Sequence, residues 1–285
     1  MTAPPKGAKM KIGNTIPGGS GLGDLLTEMR RASPLVQCIT NYVAMNIAAN
    51  VLLAAGASPA MVHAEREAGE FAAIAGALTV NIGTLSPDWV AGMHRAADGA
   101  NQAGKPWVLD PVAHFATSYR RDTVAGLLAL RPAIVRGNAS EIIALAGGMS
   151  AGQGVDSGDT VASAEASARS LAGRTGAVVA VTGAVDFVTD GKRAVRIEGG
   201  SPLMPRVTAL GCSLTCLVGA FAAIRPADPF AASIAALAIF AVAGERAGRV
   251  SEGPGSFGWR LLDALAALDP AGLEREARIS EAVQA

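Results

Sequence analysis

Thr208-Ala209-Leu210-Gly211-Cys212 runs directly into a long apolar stretch. A Thr-x-x-Gly segment before a helix leaves unpaired N–H groups at the helix start. Those amides, with the positive end of the dipole, attract an anion. The same field favours thiolate, so Cys212 is expected to be more acidic than a free cysteine. The plainer alternative makes Gly211 a turn and Cys212 a small buried residue. A second set is Asp110-Pro111-Val112, followed by Arg136-Gly137-Asn138-Ala139-Ser140-Glu141. Two readings are open for it. Asn138 caps a helix and Glu141, three residues on, completes a capping box. Alternatively, Asp110 and Glu141 flank a hydrated Mg2+, an ion that takes a few carboxylates together with phosphate oxygens. Other chemistries have less support. The lysines after Gly104 and Gly191 are followed by Pro and Arg, so no G-x-x-x-x-G-K-[ST] loop is present. His63, His94 and His114 are isolated, and Cys212 and Cys216 share a helical face with no histidine near them. That argues against zinc.

The elements that must position these residues alternate. Apolar runs at Leu35–Ile39, Ala60–Val62, Ala77–Ile82, Trp107–Asp110, Ala133–Arg136 and Val178–Thr182 read as strands. Phe187–Thr189 and Ala194–Ile197 read as a hairpin around Asp190-Gly191, a strong turn signal. Between and after them, helices are expected over 24–31, 46–55, 67–75, 87–103, 123–130, 139–146, 161–175, 212–223, 229–249 and 258–268. A Gly-rich turn is expected over 147–157. Several strands are apolar throughout, which points to an α/β fold with a mostly parallel sheet covered by helices on both faces. Ligands of such sheets sit at the carboxyl ends of the strands. Those ends carry Asn41, Asn81, Asp110, Arg136, Asn138 and Thr182. Residues 1–22, rich in Gly, Pro and Lys, read as a flexible tail, and 23–285 as a single domain without internal repeats.

Composition narrows the partners. Of 285 residues 50% are hydrophobic but only 4% aromatic, so the apolar mass is Ala, Val, Leu and Ile, with 34 Gly. This excludes a disordered chain, which is charge-rich and apolar-poor. Lys+Arg and Asp+Glu are both 24, and the only basic cluster is Lys6, Lys9 and Lys11 in the tail. No nucleic-acid footprint is present. Three cysteines are too few for a disulfide scaffold and fit a reducing cytoplasm. The longest apolar run, Phe230–Gly244, is about 15 residues against the roughly 20 that a spanning helix needs. It is expected to be a buried helix, with no membrane partner.

Taken together and in order, these segments resemble the hydroxyethylthiazole kinase family of the ribokinase-like superfamily. The resemblance rests on Ser33-Pro34-Leu35-Val36, Ile39-Thr40-Asn41, Gly56-Ala57-Ser58-Pro59-Ala60-Met61, Asn81-Ile82-Gly83-Thr84 and Asp110-Pro111-Val112. It continues through Arg136–Glu141, Val181-Thr182-Gly183, Gly211-Cys212 and Glu252-Gly253-Pro254-Gly255-Ser256-Phe257. It implies a three-layer ribokinase-like fold, phosphorylation of 4-methyl-5-(2-hydroxyethyl)thiazole by ATP with Mg2+, and a homotrimer with sites at subunit interfaces. It implies Asn41, Val43, Met61, Gly83 and Ala209 on the thiazole side, and Arg136, Asn138, Thr182 and Gly211 on the ATP side. Cys212 is then the catalytic residue, where most superfamily kinases carry Asp. Many relatives have Gly where this chain has Ala209; an alanine is expected to fit there only with negative φ. Phe115, after Asp110-Pro111-Val112, is expected to reshape the loop over the phosphates. Three rivals stand beside this reading: a kinase of another small alcohol such as a hydroxymethylpyrimidine, a nucleotide-hydrate dehydratase of the same fold, and a thiazole-binding protein without turnover.

Overall fold

The computed structural model describes residues 21–149 and 158–282. Most of the tail expected over 1–22 and of the Gly-rich turn expected over 147–157 lies outside them. The chain order is α1 (Leu22–Ala32), β1 (Leu35–Ile39), α2 (Met45–Ala55), β2 (Ser58–Ala60), α3 (Glu65–Ile74), β3 (Ala77–Asn81), α4 (Pro87–Gln102) and β4 (Trp107–Asp110). It continues with α5 (Ser118–Ala129), β5 (Ile134–Asn138), α6 (Ala139–Leu145), α7 (Val161–Thr175), β6 (Val178–Thr182), β7 (Val185–Thr189) and β8 (Ala194–Glu198). Last come α8 (Leu210–Ile224), α9 (Pro229–Arg249), α10 (Pro254–Ala267), α11 (Pro270–Glu276) and β9 (Arg278–Glu281).

The nine strands of the described residues form one sheet in the order β2-β1-β3-β4-β5-β6-β7-β8-β9. Pairing is parallel from β2 to β6 and antiparallel from β6 to β9. The connections explain the change. Each parallel strand returns through a helix, whereas β6–β7 and β7–β8 are joined by tight turns, which permit only antiparallel neighbours.

Two apolar layers sandwich the sheet. One contains α1, α2, α8, α9, α10 and α11, and the other α3 to α7. Side chains alternate along a strand. Thus Ile134 packs into the first layer and Val135 into the second, as do Val178 and Val179. Carried one step further, the same alternation turns Asn81, Asp110, Arg136 and Thr182 toward the α8 face, at the strand ends. Parallel register aligns them: Asn81 stands opposite Asp110, and Asn138 opposite Thr182. Helix α9 is long and apolar enough to span a bilayer, but 89% of its apolar window is buried in the first layer. Its small Ala and Gly residues let it pack closely on the sheet.

Candidate active site

The chain enters α8 through a short 3-10 turn, Met204–Arg206, and then Ala209. Ala209 is left-handed, with φ 61° and ψ 15°, contrary to the negative φ expected of an alanine. Its carbonyl accepts from both the N–H and the hydroxyl of Ser213, at 2.9 and 2.8 Å, so the first turn of α8 holds it in that conformation. Gly211 follows, and a side chain there would have to displace the Arg136 guanidinium. A Cβ there would lie 2.8 Å from Nη1 and 2.9 Å from Nη2 of Arg136. The helix start therefore rests directly on the Arg136 guanidinium.

Arg136 is buried. Its Nη2 donates to the hydroxyl of Thr182, and its Nη1 lies 3.6 Å from Oδ2 of Asp110. That same Oδ2 accepts from Asn81 Nδ2 at 2.7 Å and from the Thr215 hydroxyl at 2.8 Å. Among the described residues, Oδ1 of Asp110 and Nε of Arg136 are buried without a hydrogen-bond partner. Burial raises the Asp110 carboxyl, opposed by Arg136, Thr215 and Asn81.

From Asn81 a second chain of bonds leads to the thiol. Asn81 Oδ1 accepts from Asn41 Nδ2 at 2.9 Å and from the Gly83 N–H at 2.9 Å. Asn41 Nδ2 also donates to the Cys212 sulfur at 3.3 Å, and Asn41 Oδ1 accepts from the Ala44 N–H at 3.0 Å. A Cβ on Gly83 would lie 2.6 Å from Asn41 Nδ2. Glycine is what lets the loop after β3 close on Asn41.

Cys212 differs from expectation in its acidity. Its thiol is pushed up to about 11, first by burial and second by the Asp110 charge. Burial beside the Asp110 carboxylate disfavours the thiolate.

Glu141 satisfies the capping reading in full: its Oε2 accepts from the Asn138 N–H at 2.8 Å, and Asn138 Oδ1 accepts from the Glu141 N–H at 2.9 Å. Its Oε1 also accepts from the Ala113 N–H at 3.0 Å, in the loop after β4. Burial and then the Asp110 charge raise the Glu141 carboxyl to about 7. The cap and the carboxylate pair are thus the same group, and a carboxylate that caps still has a free lone pair on each oxygen.

The structure brings Asn41, Gly83 and Cys212 together, and likewise Asp110, Arg136, Thr182 and Gly211. Asn138 and Glu141 adjoin the second group. Met61 is half-buried with one side on the apolar core, and Val43 is 58% exposed beside Tyr42, itself 69% exposed. Phe115 belongs to a short 3-10 turn, His114–Ala116, with its ring 5.7 Å from that of the buried His114. Thr215 escaped the sequence reading inside an apolar run, although it lies one turn beyond Cys212. Asp186 escaped it too. Its Oδ1 accepts from the Gly183 N–H at 2.9 Å across the β6–β7 turn, and burial raises its carboxyl to about 7.

The site joins a neutral amide chain ending in a thiol to a charged cluster with open valences beneath a helix start. A phosphoryl donor on the charged side and a neutral alcohol on the amide side fit this arrangement. A model of the hydroxyethylthiazole kinase family matches residues 26–271. The chain is 74% identical over 257 residues to a hydroxyethylthiazole kinase of Rhizobium rhizogenes, covering 90% of this chain and 96% of that protein. It is 65% identical over 262 residues to one of Cereibacter sphaeroides, covering 92% and 99%. Among solved structures, the hydroxyethylthiazole kinase protein from Pyrococcus horikoshii aligns with a TM-score of 0.84 at 37% identity, covering 92% of this chain and 99% of that one. A Staphylococcus aureus pyridoxal kinase in complex with AMP-PCP aligns at 0.62 with 14% identity, covering 87% and 98%, a likeness of fold alone.

Proposed function

The chain belongs to the hydroxyethylthiazole kinase family, and we propose from that premise how its residues divide the reaction. The reaction is ATP-dependent phosphorylation of the hydroxyl of 4-methyl-5-(2-hydroxyethyl)thiazole, in thiamine salvage. The observation that carries the division is the α8 start, where Cys212 faces Asn41 on one side and Gly211 rests on Arg136 on the other.

Arg136, Thr182 and the amides of Leu210–Cys212 hold the triphosphate, with Asn138 at the same strand end. Asn41, Gly83, Ala209, Met61 and Val43 form the thiazole side. Phosphoryl transfer passes through a loose transition state, so positioning and charge neutralisation supply most of the acceleration. At neutral pH a thiol titrating at about 11 keeps its proton. Cys212 therefore orients the acceptor hydroxyl rather than abstracting its proton at the outset. Asn41 fixes the sulfur by donating to it, and the hydroxyl proton leaves late, toward a phosphoryl oxygen.

Asp110 and Glu141 fit a magnesium ion. Oδ1 of Asp110 is a buried acceptor unused among the described residues, and the Asp110 charge disfavours ionisation of Glu141, a repulsion that a divalent cation relieves. When bound, the ion supplies charge neutralisation at the phosphates. We propose further a homotrimer in which a neighbouring subunit covers Tyr42 and Val43, since these exposed apolar side chains adjoin Asn41. We also propose one domain over 23–285 and a cytoplasmic location, in keeping with the free thiols Cys38, Cys212 and Cys216.

Incubation with ATP, Mg2+ and either hydroxyethylthiazole or hydroxymethylpyrimidine, read as ADP release, tests the substrate. ADP with the pyrimidine and none with the thiazole overturns the assignment. Light scattering tests the assembly, and a fully active monomer at micromolar concentration overturns it.

A further inference from the structure

We infer that Arg120 is a positioning residue for this phosphoryl transfer, a strut that sets the separation between the acceptor wall and the carboxylate wall of the site. The inference rests on the division of the site given above. Arg120 is the third residue of α5, followed by Arg121, and the first turn of that helix holds no acidic residue. A cation is disfavoured at a helix start, where the dipole is already positive. Such breaches of local preference concentrate where a residue has another task.

The task is visible in its bonds. Nη1 donates to the carbonyls of Ile82 at 2.9 Å and Val112 at 2.8 Å, and Nη2 donates to the carbonyl of Gly83 at 2.7 Å. Ile82 and Gly83 follow β3, whereas Val112 follows β4. One planar group thus ties two loops from neighbouring strands. Among the described residues it makes no ion pair, so its whole hydrogen-bonding use is this tie.

Each tied carbonyl belongs to a segment that places a site residue. The Gly83 N–H donates to Asn81, and the Gly83 backbone abuts the side chain of Asn41, which holds the Cys212 sulfur. Val112 leads into Ala113, which is held at φ 46° with its N–H on Glu141. A shift of either loop therefore moves Asn41 relative to Asp110 and Glu141, and with them the acceptor relative to the phosphates. Arginine suits this role because its rigid fork reaches several carbonyls at fixed angles. A lysine offers a compact ammonium on a flexible stem, without the fork geometry.

The test compares Arg120→Ala and Arg120→Lys with the native enzyme, using thiazole-dependent ADP release, melting temperature and circular dichroism. Misplacement by an ångström costs on the order of 100-fold, so Arg120→Ala should lose about that much in kcat, with a smaller rise in either KM. Methylguanidinium at millimolar concentration should restore turnover, and methylammonium should not. Arg120→Lys should fold and stay on the order of tenfold or more below native, because the ammonium lacks the planar fork. Native-like kcat in either folded variant overturns the strut. So does a loss that tracks the folded fraction and ignores methylguanidinium. If Arg120→Ala does not fold, Arg120→Lys alone decides. A native enzyme that ignores the thiazole refutes the substrate assignment instead, and the variants are then compared on whichever alcohol the native enzyme phosphorylates.

Discussion

The two halves of the site are built on opposite principles. On the acceptor side, Asn41 and Asn81 carry no charge, and their amide oxygens and bonded N–H groups form a continuous chain to Cys212. On the phosphate side, Asp110, Glu141 and Arg136 are buried ionisable groups, and Asp186 is half-buried near them in the β6–β7 turn. Asp110 Oδ1 and Arg136 Nε find no partner among the described residues, and the carboxyls of Glu141 and Asp186 are raised to about 7. A hydrogen-bonded neutral network rigidifies a site, whereas an incompletely paired charged cluster is strained until further charge arrives. The acceptor half is thus assembled before any ligand enters, while the phosphate half keeps open valences that the proposed nucleotide and cation would complete.

The sharpest way to break this contrast is Asp110→Asn. Loss of a preorganised charge costs about 10²–10³-fold in kcat, and Mg2+ titrations should show a weaker requirement. Unchanged turnover in a folded Asp110→Asn protein would remove the charged half from the chemistry. The acceptor half is probed by Cys212→Ala, expected to slow turnover on the order of 100-fold at most, the cost of a misplaced acceptor hydroxyl in a transition state that depends on positioning. Cys212→Asp should remain active. With the thiol at about 11, native turnover should stay flat between about pH 7 and 9 as far as Cys212 governs it. A rise across that interval that disappears in Cys212→Asp would mean that the thiolate is the working form.

Asp186 tests the phosphate half through stability rather than rate. Its carboxyl is raised from the ordinary value of 3.8 to about 7. Folding therefore favours the protonated form, and that contribution is complete below about pH 4 and lost as pH rises through about 7. Asp186→Asn keeps an acceptor for the Gly183 N–H and removes the titration. Relative to native, its melting temperature should be higher at pH 8 than at pH 5. Parallel curves would show that the carboxyl is solvated. The smallest effect is expected from Ala209→Gly. It relieves a left-handed alanine worth about 1–2 kcal/mol, read as a melting temperature higher by a few degrees with turnover preserved.

The sequence pattern was most informative where apolar periodicity was strong. Strands β1, β4 and β6 and helices α7 and α9 fall at the expected residues. Helix α5 begins five residues before the expected Thr123, because Ser118-Tyr119-Arg120-Arg121-Asp122 shows no apolar face. Helix α10 starts at Pro254, within a Gly-Pro-Gly segment that reads as a turn. The short α11 and β9 went unseen for lack of length. In the site, residue types named Asp110, Arg136 and Cys212 as candidates, but acidity depends on burial, which spacing does not reveal. That is why the thiol shifts opposite to the helix-dipole expectation. Glu141 left two readings open because a capping residue and a carboxylate facing Asp110 have the same sequence pattern.

The hydrogen bond from Asn41 to Cys212 joins residues 171 positions apart. Translation runs at about 5–20 residues per second, so roughly 9–34 s separate the emergence of its two ends from the ribosome. Through that interval the strands already carry Asn41, Asn81 and Asp110, but the helix bearing Thr215 and Cys212 has not been made. Of the helices on that face of the sheet only α1 and α2 have then been made, and Thr215, which bonds Asp110, is still missing. Nascent chains halted before residue 210 should accordingly bind chaperones and show no kinase activity, since Asp110 and the thiol reach their buried setting only once α8 is present.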